Sequence, residues 1–194
     1  MAEAQNFPCP RTISGTARFI DADCHHVLRF HIKRTLFDNA VHWLAAWLPP
    51  LAQPWLRVWI PSSFLPHNVV LKKLKPDWDA EFDREKKVYE QLKPLRGHVI
   101  PVFYGERTCG GRRTIVLSEV GGVNLYSEQF EHVAESPIKE KLQHSIRAIL
   151  ELGVEPGDHN PRNYHIDGDT VFVVDFEDTA EVDRERVEER RRQR

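Results

Sequence analysis

A carboxylate stands in the middle of an apolar helix face, and this constrains the fold more than any other feature of the chain. Trp78, Phe82, Tyr89 and Leu92 recur at spacings of four, seven and three, which places them on one side of a helix from Trp78 to Leu92. The gap of seven is filled by Glu85. A carboxylate facing a core needs a partner, because an unpaired buried charge is very costly. The alternative is that Glu85 lies at the edge of the stripe and reaches water. Lys72 favours the pair, since it ends the β-type run Val69-Val70-Leu71 just ahead of the helix. Pro76 and Asp77 punctuate the gap, with Asp77 the expected N-cap.

The other periodic segments alternate between strand and helix. Thr16 to Ile20 and Val27 to Ile32 read as strands, with Asp21 to His26 as a turn between them. Val99 to Glu106 and Thr114 to Val120 read as two more, joined by a turn at Cys109-Gly110-Gly111. Gly121-Gly122 then breaks the chain. A second helix is expected from Ser136-Pro137, with Ile138, Leu142, Ile146, Ile149 and Leu150 on one face and a stop at Gly153. Beyond a polar loop, Tyr164 to Ile166 and Thr170 to Val174 read as a hairpin turning at Asp167-Gly168. A last helix from about Ala180 is polar all round.

The polar loop carries the chemistry. Gly157-Asp158-His159-Asn160-Pro161-Arg162-Asn163 sets Asp158 and Asn163 five residues apart, and Asp175 follows twelve residues later in Val173-Val174-Asp175-Phe176-Glu177. Phosphoryl transfer from ATP needs a carboxylate to orient the acceptor hydroxyl, oxygen ligands for Mg²⁺ and a cation for the phosphates. Asp158 has the type for the first role, Asn163 and Asp175 for the second, and Lys72 for the third, with Glu85 holding Lys72. Taken singly, each has a plainer reading: Asp and Asn favour turns, and Asp175 could be a strand-end carboxylate.

With these residues in order, the chain resembles the protein-kinase-like superfamily, in particular its aminoglycoside- and choline-kinase-like branch. The resemblance rests on Gly157-Asp158, Asn163, Asp175-Phe176-Glu177, the strand lysine of Val69-Val70-Leu71-Lys72 and the helix glutamate Glu85, and it covers about residues 68–177. Glu177 in place of glycine, and Asn160 where many protein kinases place a lysine, fit the small-molecule branch. The resemblance implies an α+β fold: a small antiparallel sheet with one packed helix as N-lobe, then a minimal C-lobe of one helix, catalytic loop and β-hairpin. It divides the chain into an N-terminal extension (1–67), N-lobe core and hinge (68–122), C-lobe (123–180) and charged tail (181–194). It implies ATP and Mg²⁺ as cofactors, Asp158 as catalytic base, Asn163 and Asp175 as metal ligands, and Lys72 with Glu85 at the phosphates. Backbone groups of Glu119 and Val120 would meet adenine at the hinge. The activity implied is phosphoryl transfer to a hydroxyl acceptor.

Three departures from the family pattern stand beside it. Pro156 replaces the histidine that usually precedes Gly-Asp, no Gly-x-Gly-x-x-Gly precedes Lys72, and 19 residues follow Asp175. Gly15 is the one glycine ahead of Lys72. These departures keep a second reading open, a pseudokinase or interaction module with a protein partner and little or no catalysis.

Composition enters where it excludes. A net charge of −2 and a pI near 6.6 give no bulk reason to expect nucleic acid. Three cysteines without a Cys-x-x-Cys pair argue against a disulfide framework or zinc site. The start of the chain lacks a basic stretch followed by an apolar run, so a cytosolic or nuclear compartment is expected. Val41 to Ile60 carries Trp43, Trp47, Trp55 and Trp59 among Pro49, Pro50 and Pro54. Central prolines exclude a spanning helix. Two readings remain: a short helix from His42 to Leu48 whose tryptophans pack on the domain, or a membrane-interface anchor. The local sequence lacks the basic face such anchors usually carry.

Overall fold

Alternation of apolar and polar residues builds the first sheet. The computed structural model describes residues 4–6, 12–20, 25–49, 51–53, 55, 59–127 and 135–181. Strands β1 (Ala4–Asn6), β2 (Thr12–Phe19), β3 (Val27–Ile32), β4 (Asn68–Lys73), β5 (Phe103–Cys109) and β6 (Arg112–Ser118) form one sheet in the order β1-β2-β3-β4-β6-β5. Strand β3 turns Leu28, Phe30 and Ile32 inward and leaves Arg29 and His31 outside, the period of two expected of a half-buried strand. Its antiparallel neighbour β4 sets Val69 opposite Phe30 and Leu71 opposite Leu28. Val69 and Leu71 join Ile13, Leu28, Phe30, Ile32, Cys109 and Val116 in the core under this sheet. Gly15 lies in β2, where a Cβ would meet the His31 carbonyl oxygen at 2.1 Å, so close strand approach accounts for this glycine.

Contact density divides the chain into two units, residues 1–75 with 104–119, and residues 76–103 with 120–194. The sheet belongs to the first. The boundary expected at residue 68 falls between β3 and β4, which are paired neighbours. Their connection takes 35 residues, where a hairpin commonly takes two to five. It holds helix α1 (Leu36–Trp47), longer at its start than the expected His42 to Leu48. A capping box fixes that start: Thr35 Oγ1 accepts from the Asp38 backbone N–H, and Asp38 Oδ2 accepts from the Thr35 backbone N–H. The expectation that the tryptophans pack on the domain is overturned. Val41 alone of the α1 side chains is buried, and Trp43, Trp47, Trp55 and Trp59 are 65–78% exposed.

The second unit is built on two helices and short ladders. Helix α2 (Asp79–Gln91) buries Phe82, Glu85, Val88 and Tyr89, close to the stripe read from the sequence. Its N-cap is Trp78, because Asp77 adopts φ +60° in the preceding turn and makes no side-chain cap. Helix α3 (Glu135–Glu151) lies along the hairpin of β9 (Tyr164–Asp167) and β10 (Thr170–Val173), where Ser145 Oγ donates to the Val171 carbonyl at 2.6 Å. Short β7 (Val123–Asn124) adds a third strand beside β9. The hairpin turns at Gly168-Asp169, one residue later than expected, because Thr170 pairs with Asp167 and Gly168 supplies φ +59°. Strands β8 (Val154–Pro156) and β11 (Thr179–Glu181) pair antiparallel, so Ala180 is a strand residue and not the start of a helix. The remainder of the charged tail lies outside the described residues. No helix among the described residues is long and apolar enough to cross a membrane.

Candidate functional site

The polar loop is held by its own side chains. Asp158 lies on the exposed surface after β8, and its Oδ1 accepts the Asn160 backbone N–H at 2.9 Å. Its Oδ2 accepts the Asn163 side-chain amide at 2.9 Å. Asn160 Oδ1 accepts the Arg162 backbone N–H and so caps a single 3₁₀ turn, Pro161–Asn163. The Arg162 guanidinium sits 4.4 Å from the centre of the Tyr126 ring. Gly157 is required by proximity, since a Cβ there would meet Asp178 Cγ at 2.9 Å. Its N–H donates to the Asp178 carbonyl at 2.8 Å, which ties the loop to the segment after Asp175. Pro156, where the resemblance leads one to expect a histidine, is buried within β8 and opposite Thr179.

The same loop is joined directly to the segment that holds Asp175. The Val174 N–H donates to the Asn163 carbonyl oxygen at 3.0 Å, which sets Asn163 beside the strand end that precedes Asp175. Asn163 therefore spends its amide N–H on Asp158 and its backbone oxygen on Val174, and keeps Oδ1 as a hard oxygen donor. Asp175 Oδ1 accepts the Glu177 backbone N–H at 3.0 Å, an Asx turn that points the chain after the strand.

Helix α2 meets this segment from the other side. Tyr89 is fully buried, stacked on Phe103 and edge-on to Phe176, with centroids 5.6 and 5.3 Å away. Its hydroxyl donates to the Val174 carbonyl at 3.2 Å. Burial pushes the Tyr89 phenol well above its usual range, and the negative charges of Glu85 and then Asp175 push it further. One turn before Tyr89, Glu85 is 1% exposed, so the carboxylate on the apolar stripe does face the interior. Oxygens of Glu85, Asp175 and Glu177 all lie within 4.8 Å of one another. The three carboxylates form an all-oxygen set, which fits a hard divalent cation such as Mg²⁺ better than a thiolate- or imidazole-seeking metal.

The outcome differs among the residues read from the sequence. Asp158, Asn163 and Asp175 are linked in one hydrogen-bonded segment, and Glu85 lies close to Asp175. Glu177 joins that group, although the sequence reading treated it as a signature residue only. Its signal was its place two residues after Asp175, the spacing of an Asx turn that keeps the two residues together. Lys72 belongs to the other unit and is 5% exposed on β4, opposite Val27 and Ile115. In that unit Glu119 forms an ion pair with Arg29, which leaves its backbone groups for any hinge role. Gly122, two residues after Val120, has φ +75° and abuts Ile166, so its place permits no side chain.

Comparison with solved structures bears on the fold. The chain is similar to a cysteine-to-alanine mutant of the Mycobacterium tuberculosis PknI kinase domain, with TM-score 0.55 and 14% identity over 94% of this chain. It is similar to the unsubstituted PknI kinase domain with the same score and identity over 91% of this chain. It spans 65% and 63% of those two chains. No protein-family model matches the sequence, and no curated protein matches it. At this identity the likeness speaks for the fold, which is α+β and kinase-like with a reduced C-lobe.

Proposed function

We propose that this chain is an ATP-dependent phosphotransferase acting on a hydroxyl acceptor, of the small-molecule kind seen in aminoglycoside- and choline-kinase-like proteins. The supporting observation is the linked segment in which Asn163 bonds both Asp158 and the residue before Asp175. In this reading Asp158 orients the acceptor hydroxyl and takes its proton. Asn163 Oδ1 and Asp175 would hold Mg²⁺, with Glu177 as an additional oxygen donor. Lys72 would contact the phosphates, Glu85 would orient Lys72, and backbone groups of Glu119 and Val120 would receive adenine. When bound, Mg²⁺ neutralises phosphate oxygens. The compartment in this reading is cytosolic or nuclear.

Calorimetric titration with Mg·ATP tests the proposal. Binding is expected for the wild type and is expected to be lost in Asp175→Ala, with the circular dichroism spectrum of the variant unchanged. A wild type that takes up no heat with Mg·ATP overturns it. A second reading, a pseudokinase or interaction module with weak or no catalysis, is favoured by the Asp158 carboxylate, both of whose oxygens are engaged inside the loop. Turnover of any member of a panel of hydroxyl acceptors rejects that second reading.

A further inference from the structure

Helix α1 displays an apolar surface that its own domain does not use. Leu36, Trp43 and Trp47 are 89, 65 and 74% exposed, and Leu44, Trp55 and Trp59 are exposed as well. This is not a frayed end. Val41 is buried, the His42 ring bonds the Ser63 carbonyl at 2.8 Å and meets the Phe64 ring edge-on, and the capping box fixes the first turn. Trp43 and Trp47 lie one turn apart with ring centres 5.8 Å from each other. The helix is therefore anchored by one edge and presents indoles outward.

Charge says what would cover it. The helix holds one charged residue, Asp38, whose two carboxylate oxygens accept bonds from Thr35 and Ser63. From residue 24 to residue 76 the chain has seven Lys/Arg against that single acid. The whole first unit has 12 Lys/Arg against 6 Asp/Glu, a formal +6, in a chain whose net charge is −2. Lys33 and Arg34 stand immediately before the helix, Lys33 exposed and Arg34 half-buried. The basic character missing from the helix itself is supplied by the unit that carries it. Indole rings prefer the headgroup level of a bilayer, where an apolar body and an N–H are both satisfied. An apolar face set in a cationic unit matches anionic headgroups above acyl chains.

We propose that α1, with Trp55 and Trp59 after it, forms a docking surface for an anionic lipid bilayer. The surface lies flat on the interface and does not span it, and this proposal is independent of the phosphotransferase reading. Co-sedimentation of the full chain with vesicles of phosphatidylcholine alone, or with about 30% phosphatidylserine, tests it. Binding is expected to the anionic vesicles, with a blue shift of tryptophan emission and loss in high salt. The double variant Trp43→Ala/Trp47→Ala should reduce partitioning by about tenfold or more. Lys33→Glu/Arg34→Glu should reduce it by about tenfold, because each cation near a charged surface contributes. All four side chains lie at the surface or its edge, so both variants should keep the wild-type melting temperature. Equal binding to neutral and anionic vesicles, or partitioning indifferent to the tryptophan variant, overturns the proposal. So does the absence of vesicle binding, whether light scattering then shows a dimer that the tryptophan variant dissolves, which assigns the face to a second copy, or a monomer.

Discussion

Helices α1 and α2 have opposite composition and opposite burial. Helix α1 has one charged residue in twelve and buries only Val41. Helix α2 has eight charged residues in thirteen and buries Phe82, Glu85, Val88 and Tyr89. The more polar helix is the better integrated one. Its charges fall on the outer side, and the one that does not, Glu85, lies beside Asp175 and Glu177. The contrast extends to the units that carry the helices, at +6 and −8. Average polarity thus says little about whether a helix is buried; the position of each apolar residue relative to a surface that can receive it decides.

The largest effect is expected inside the second unit. Phe176 is fully buried against Tyr89, and Phe176→Ala should cost about 3–5 kcal/mol of stability, measured by urea denaturation. A loss below about 1 kcal/mol would mean that the aromatic stack is not the centre of that unit.

An intermediate effect should appear with pH. Burial lowers the His165 pKa from its ordinary value of 6.5. The folded state therefore prefers the neutral ring, and the stabilisation is present above the unfolded pKa. It is lost as pH falls below 6.5 toward the folded value. Thermal melts of wild type and His165→Phe should diverge across that acidic window, with the wild type losing more. Parallel curves would remove His165 from the account.

The smallest effect is expected in α1. Trp43→Ala removes a large side chain that rests mostly in solvent, so stability should change by no more than about 0.5 kcal/mol in the same urea assay. A loss near that of Phe176→Ala would abolish the contrast between the two helices.

Much of the site was legible because it is local. Asp158, Asn160 and Asn163 bond within one loop, and five residues suffice to specify that geometry. Glu85 announced its burial through the period of the helix, and Val27–Ile32 formed the strand its alternation requires. Less was legible where distant residues meet. Asp77 yielded the N-cap because the turn before α2 took φ +60°. Ala180 became a strand residue because β8, some 25 positions earlier, offered an edge to pair with. Glu177 entered the acidic group only once α2 had brought Glu85 to it.

The sequence by itself determined the central strands β2, β3 and β4, the helices around Glu85 and Ile149, the carboxylate on the helix stripe and the loop chemistry from Gly157 to Asn163, because helix period, strand alternation and turn propensity act over a few residues. The tertiary structure alone decided that β1 to β3 continue the sheet of β4 and that Glu177 stands with Glu85 and Asp175. It alone decided that the tryptophans of α1 face outward. Which face of a helix is buried depends on the surfaces left by the rest of the chain, and in α1 only Val41 found one.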